Sequence, residues 1–146
     1  MRRLAFLLLV VAAAAAAPTA SARESWASAA NRICAHAFAK AHAFESRIGP
    51  IETVAEAHRA AHLNIEAMTV ALGRLAGLPR PRAQRARIAE LLGEIDVVLA
   101  EYRQIERGLR RKDYARVTTL ARWSIAHVER ATALSLALGA RPCSRA

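Results

Sequence analysis

The sequence predicts an all-α fold, an up-down-up-down antiparallel four-helix bundle, and three observations carry that expectation. Gly and Pro fall at few places and divide residues 23–146 into four stretches of similar length, roughly 25–48, 51–77, 82–110 and 113–138. All four are rich in Ala, Leu, Arg and Glu, the residues that lose least in a helix. Within each, apolar residues recur at steps of three and four, and nowhere with the period of two that a strand would show.

Each stretch carries one apolar face. The first aligns Trp26, Ala30, Ile33, Ala37, Ala41 and Phe44, and the second Val54, Ala61, Ile65, Met68, Leu72 and Leu75. The third aligns Ile88, Leu92, Ile95, Leu99, Tyr102 and Leu109, and the fourth Val117, Leu120, Val128, Ala131, Leu134 and Leu138. Gly49-Pro50, Gly77 with Pro79 and Pro81, Gly108, and Gly139 with Pro142 punctuate them. Asp113 stands where an N-cap belongs. Gly139 stands where a C′ residue belongs, with Pro142 beyond it. Long helices joined by short turns pack as antiparallel neighbours, so the start of helix one and the end of helix four should share one end of the bundle.

Residues 1–22 read as a cleavable secretory leader preceding a single domain over 23–146. Arg2 and Arg3 form its basic start, Leu4 to Ala17 is an apolar run of 14 residues, and Ala20-Ser21-Ala22 offers a small-x-small cut before Arg23. That run falls short of the roughly 20 residues a membrane-spanning helix needs, and the mature chain holds no comparable stretch. The leader implies a secreted or cell-envelope location, where thiols oxidise. The mature chain carries two cysteines, Cys34 and Cys143, and an even count in that context predicts one disulfide between them. The bundle topology brings the same two residues together.

The segment from Trp26 to Ala35 contains an A-x-x-I-C element, ending at Ile33-Cys34. Leu75, Leu78 and Pro81 match a mid-chain L-x-x-L-x-x-P turn, and Leu138, Gly139 and Cys143 match a closing L-G-x-x-x-C. Over nearly the whole mature chain this resembles a loose group of uncharacterised small secreted actinobacterial helical proteins. The resemblance implies a helical bundle with a disulfide and brings no activity with it. The turn here, Leu78-Pro79-Arg80-Pro81, departs from the adjacent prolines of that group.

The sharpest candidate for chemistry is His58 and His62, with Glu66 at the same spacing, because side chains four apart share a helix face and two imidazoles there could chelate Zn²⁺ or Cu²⁺. Helical geometry argues against a closed site. His58 lies about 50° from the centre of the apolar stripe, His62 about 90° and Glu66 about 130°, so the trio drifts outward. His36 and His42 fall on different faces, and His127 sits on the shoulder of the fourth stripe, where a hydrogen-bonded, partly buried ring is expected. Glu106 lies near the third stripe, where an ion pair with Arg103, Arg107 or Arg110 is the expectation. No Glu-x-x-His, Cys-x-x-Cys-His, His-Glu-x-x-His, phosphate-loop or Gly-x-Ser-x-Gly motif occurs, so no catalytic residue and no cofactor is expected.

Without Arg2 and Arg3 the mature chain has 20 basic against 12 acidic residues, a net charge of +8. One cluster, Arg103, Arg107, Arg110, Arg111, Lys112 and Arg116, surrounds a helix C-terminus, where the dipole favours cations. The other, Arg80, Arg82, Arg85 and Arg87 with Arg74 nearby, surrounds a helix N-terminus, where the dipole opposes them. The opposed cluster is the better candidate for contact with an anionic partner: an envelope polymer, lipid head groups or an acidic protein face. No nucleic-acid recognition motif accompanies the charge. Trp123, Ile125 and Leu136 make the fourth helix apolar nearly all round, which predicts a wide groove filled by the other helices, with dimerisation as the other reading. The sequence leaves the oligomeric state open. The expected function is a non-enzymatic binding or structural module of the cell envelope, with metal binding at His58 and His62 as the alternative.

Overall fold

The computed structural model describes residues 24–48, 51–141 and 143. The expected leader at 1–22, the Gly49-Pro50 turn and Pro142 lie outside the described residues, as does the Phe44 side chain. Four helices run in order, α1 Trp26–Ile48, α2 Val54–Ala76, α3 Arg85–Arg111 and α4 Tyr114–Ala137, and a 3-10 turn at Arg82–Gln84 leads into α3. No strand occurs among the described residues.

The caps explain the boundaries. The Thr53 hydroxyl accepts from the Glu56 amide and the Glu56 carboxylate accepts from the Thr53 amide, a reciprocal capping box that starts α2. Asp113 accepts from the Arg116 amide and starts α4. The other end of α4 is a Schellman turn: Gly139 takes φ +75°, its amide bonds the Leu136 carbonyl, and the Ala140 amide bonds the Ser135 carbonyl at 2.8 Å. Gly108, expected as punctuation, lies inside α3 instead. The helix continues to Arg111 and stops at Lys112, which adopts the left-handed conformation at φ 58°. Gly108 serves packing: it is buried, and a Cβ there would stand 2.7 Å from Val117 Cγ2 of α4.

Sequential helices pack in pairs, α1 on α2, α2 on α3 and α3 on α4. Cross-helix pairs fix the antiparallel register. Lys40 meets Glu66, Arg103 meets Thr69, and His127 and Arg130 meet Glu94 and Glu90. No residue of α1 comes within 8 Å of α4, Cα to Cα, among the described residues. The ring of helices therefore closes only at one end, through the segment after α4. There Cys34 and Cys143 form the expected disulfide with Cα atoms 5.1 Å apart, and Asn31 Nδ2 donates to the Gly139 carbonyl. The main hydrophobic core gathers at this same end. Trp26, Ala30 and Cys34 of α1 meet Leu75, Ile88, Leu91, Leu92, Leu138 and Ala140. The opposite end, where α2 begins and α3 finishes, is more open, with Ile51, Val54 and Tyr114 exposed.

Candidate functional site

The α2–α3 connection places the first candidate on the tightly packed, disulfide-closed end. Leu78 folds back against the core, while Pro79 and Pro81 hold the chain extended between the two helices. Arg82, Arg85 and Arg87 are exposed and meet no carboxylate or other side-chain partner among the described residues. Arg80 differs. It is half-buried and its guanidinium donates to the Ala76 carbonyl at 3.4 Å, helping to cap the C-terminus of α2. The start of α3 offers no compensation: its first turn has no acidic residue, and Gln84 makes no side-chain cap bond. Three guanidinium groups without side-chain partners thus stand at the positive end of a helix dipole, where the 3-10 turn bonds the Gln84 amide to the Pro81 carbonyl and the Arg85 amide to the Arg82 carbonyl. The second basic cluster is partly occupied, since Arg103 donates to Thr69 Oγ1 and Arg116 to Gln104 Oε1, each at 3.3 Å.

The expected His58, His62 and Glu66 set does not converge. Glu66 turns toward α1 and pairs with Lys40 at 3.3 Å. In its place, Glu106 of α3 reaches both rings across the α2–α3 interface. Its Oε1 lies 3.1 Å from His62 Nδ1 and 3.5 Å from His58 Nε2. The helical angle explains the exchange, because α3 packs on the flank of α2 that His58 and His62 share, whereas Glu66 has rotated past it. The Glu106 side chain retains only 16% exposure, and its partners are these histidines rather than the arginines expected from proximity in sequence. The three residues line an open cavity of about 670 Å³ at the loosely packed end, together with Val54, Ala55, Arg59, Leu109 and Arg110. Among the described residues, no group of three or more His, Cys, Asp or Glu is placed to hold a metal ion.

The remaining histidines have local partners. His127 Nδ1 lies 2.7 Å from Glu94 Oε2, as a partly buried, hydrogen-bonded ring should. Arg130 joins the same network through Glu90 at 2.6 Å and Glu94 at 3.1 Å. The hydrogen bond that Arg130 donates to Glu90, and then the charges of Glu94 and Glu90, raise the Arg130 pKa above the usual guanidinium value. His42 contacts Ser46 on its own helix, and His36 lines a shallow groove between α1 and α2. The sequence missed Glu106 as the partner of the histidine pair. Its place on the inward stripe was visible, but which α2 residues it would face depended on helix register.

Compared with protein-family models, curated proteins and solved structures, the chain matches none. No helix among the described residues is long and apolar enough to cross a membrane.

Proposed function

We propose that the chain is an exported, non-enzymatic binding module of the cell envelope that contacts an anionic partner through the end formed by Arg80, Arg82, Arg85 and Arg87. The observation that carries this reading is the set of unpaired, exposed guanidinium groups at an uncapped helix N-terminus. Holding cations where the dipole repels them costs folding stability and returns none through internal ion pairs. An anionic polymer, lipid head group or acidic protein face would relieve both the mutual repulsion of the arginines and their opposition to the helix dipole. The disulfide-closed core beneath the cluster fixes the backbone that carries it, so only the side chains need be ordered on contact. Export rests on the leader-like residues 1–22 and agrees with the Cys34–Cys143 bond.

The test is co-sedimentation with anionic vesicles and with an anionic wall polymer across a salt series. Binding should weaken as salt rises. Replacing Arg80, Arg82, Arg85 and Arg87 by Gln should abolish it while far-UV circular dichroism stays unchanged. Equal binding by the quadruple variant would refute the proposal.

One observation favours a second reading, metal binding at His58 and His62. Both rings already lean toward one carboxylate, now Glu106 instead of Glu66. Titration with Cu²⁺ and Zn²⁺ decides it: wild type should bind more tightly than both His62→Ala and Glu106→Gln, and equal affinities would remove this reading.

A further inference from the structure

Among the described residues, no element covers the face of α4 turned away from the bundle. Leu120, Ser124 and Ser135 are buried against the other helices. About half a turn around, Ala115, Arg122, Ala126, Glu129 and Ala133 form a stripe that is exposed throughout. Large apolar side chains border it, Trp123 on one side and Ile125 and Leu136 on the other, with 64%, 55% and 53% of their surfaces exposed. The sequence expectation that other helices fill a groove around these three residues is therefore overturned. An outward helix face is ordinarily polar, and several large apolar side chains exposed along one mark an interface.

Two charges interrupt the stripe, and they identify its occupant. Arg122 and Glu129 are both exposed, and neither has an ion pair or hydrogen bond among the described residues. They lie seven residues apart, about 10.5 Å along the axis, too far to pair with each other. An antiparallel copy of the same helix, related by a two-fold axis between Ile125 and Ala126, sets position 122 of each chain level with position 129 of the other. Both charges are then matched, twice over, as an isologous interface requires. A parallel copy would set Arg122 against Arg122 and Glu129 against Glu129. Ala126 at the axis allows close approach, and Trp123 and Ile125 lie nearest the axis on either rim.

We infer that the outward face of α4 is a self-association surface, on which two chains dimerise with antiparallel α4 helices and reciprocal Arg122–Glu129 pairs. This surface is separate from the Arg80–Arg87 end, so the dimer stands or falls independently of the anionic partner.

Sedimentation equilibrium of the mature chain tests it. Wild type should be a dimer at micromolar concentration. Arg122→Glu and Glu129→Arg should each weaken the dimer at least tenfold, since each sets like charges opposite one another. The double exchange Arg122→Glu with Glu129→Arg should recover the wild-type mass, and an equimolar mixture of the two single variants should form a heterodimer. Both positions are exposed in the monomer, so the variants should keep the wild-type circular dichroism, and the single variants should lose the rise of melting temperature with protein concentration that a dimer confers. A monomeric wild type, single variants that still dimerise, or a double exchange that fails to recover would each overturn the inference.

Discussion

Three glycines sit inside helices, Gly73 in α2 and Gly93 and Gly108 in α3, and the same substitution to Ala should act with opposite sign among them. In a helix interior Ala is favoured over Gly by about 1 kcal/mol, much of it through the unfolded chain. At Gly73 and Gly93 an added Cβ meets nothing within 4 Å, so both variants should gain close to that amount. At Gly108 the Cβ would stand 2.7 Å from Val117 Cγ2 and 3.6 Å from the Asp113 carbonyl. Carbon atoms rest at about 3.5–4.0 Å, so the α3–α4 contact must open by about 1 Å. Val117 is β-branched with little rotamer freedom, and it sits one turn inside α4, behind the Asp113 cap. Overpacking of this kind costs about 1–3 kcal/mol, which leaves a net loss of about 1 kcal/mol after the helical gain. Gly108→Ala and Gly93→Ala should then differ by about 2 kcal/mol. Urea unfolding with the disulfide intact measures this as opposite shifts of the midpoint at constant slope. Adding Val117→Ala to Gly108→Ala removes the clashing methyl and should show favourable coupling of about 1–2 kcal/mol. A Gly108→Ala protein as stabilised as Gly93→Ala, or a strictly additive double variant, would refute the close-approach reasoning.

Further predictions concern the caps and the staple. Lys112 holds a left-handed conformation that suits Gly, so Lys112→Gly should stabilise the protein by about 0.5–1 kcal/mol, read as a raised urea midpoint; an unchanged or lowered midpoint counts against strain at that turn. The Cys34–Cys143 bond joins positions 109 residues apart. For a loop of that length chain entropy gives about 4–5 kcal/mol, so the Cys34→Ala, Cys143→Ala pair should lower stability by up to that amount, and a loss under about 1 kcal/mol would contradict it. Hydrogen bonding to the Thr53 side chain, then to the Glu52 and Thr53 amides, lowers the Glu56 pKa. A lowered folded-state value means that the capping box stabilises above the ordinary carboxylate pKa and is lost as pH falls through the folded one. Hydrogen exchange at the Glu52 and Thr53 amides should accelerate relative to mid-α2 amides on that acid descent, and Glu56→Ala should abolish the effect.

Local chemistry explains why the helices were legible. The Asp113 cap and the Gly139 turn are set by residues within a few positions of each other, and so is the Thr53–Glu56 capping box, whose T-x-x-E spacing stands in the sequence. The disulfide was legible because the number of helices fixes which ends meet. The Glu66 expectation failed for a different reason. Spacing along one helix says which side chains share its face, but not which neighbour covers that face. Glu106 belongs to another helix, forty residues further along, and only the α2–α3 register brings it to His58 and His62.

Gly108 and the α4 face make the same distinction. A glycine in a sequence signals either a break or a close approach, and the two are separated only by whether Val117 stands opposite it. Trp123, Ile125 and Leu136 signal burial by their apolarity alone, yet burial is a property of what surrounds a helix, and α1 does not pack along α4. By itself the sequence determined the four helices, their order and the pairing of the two cysteines, because these follow from periodicity, caps and chain connectivity. Tertiary structure alone decided which carboxylate meets the histidines, which arginines remain unpaired and which helix face stays open, because these depend on the rotation and register of packed helices.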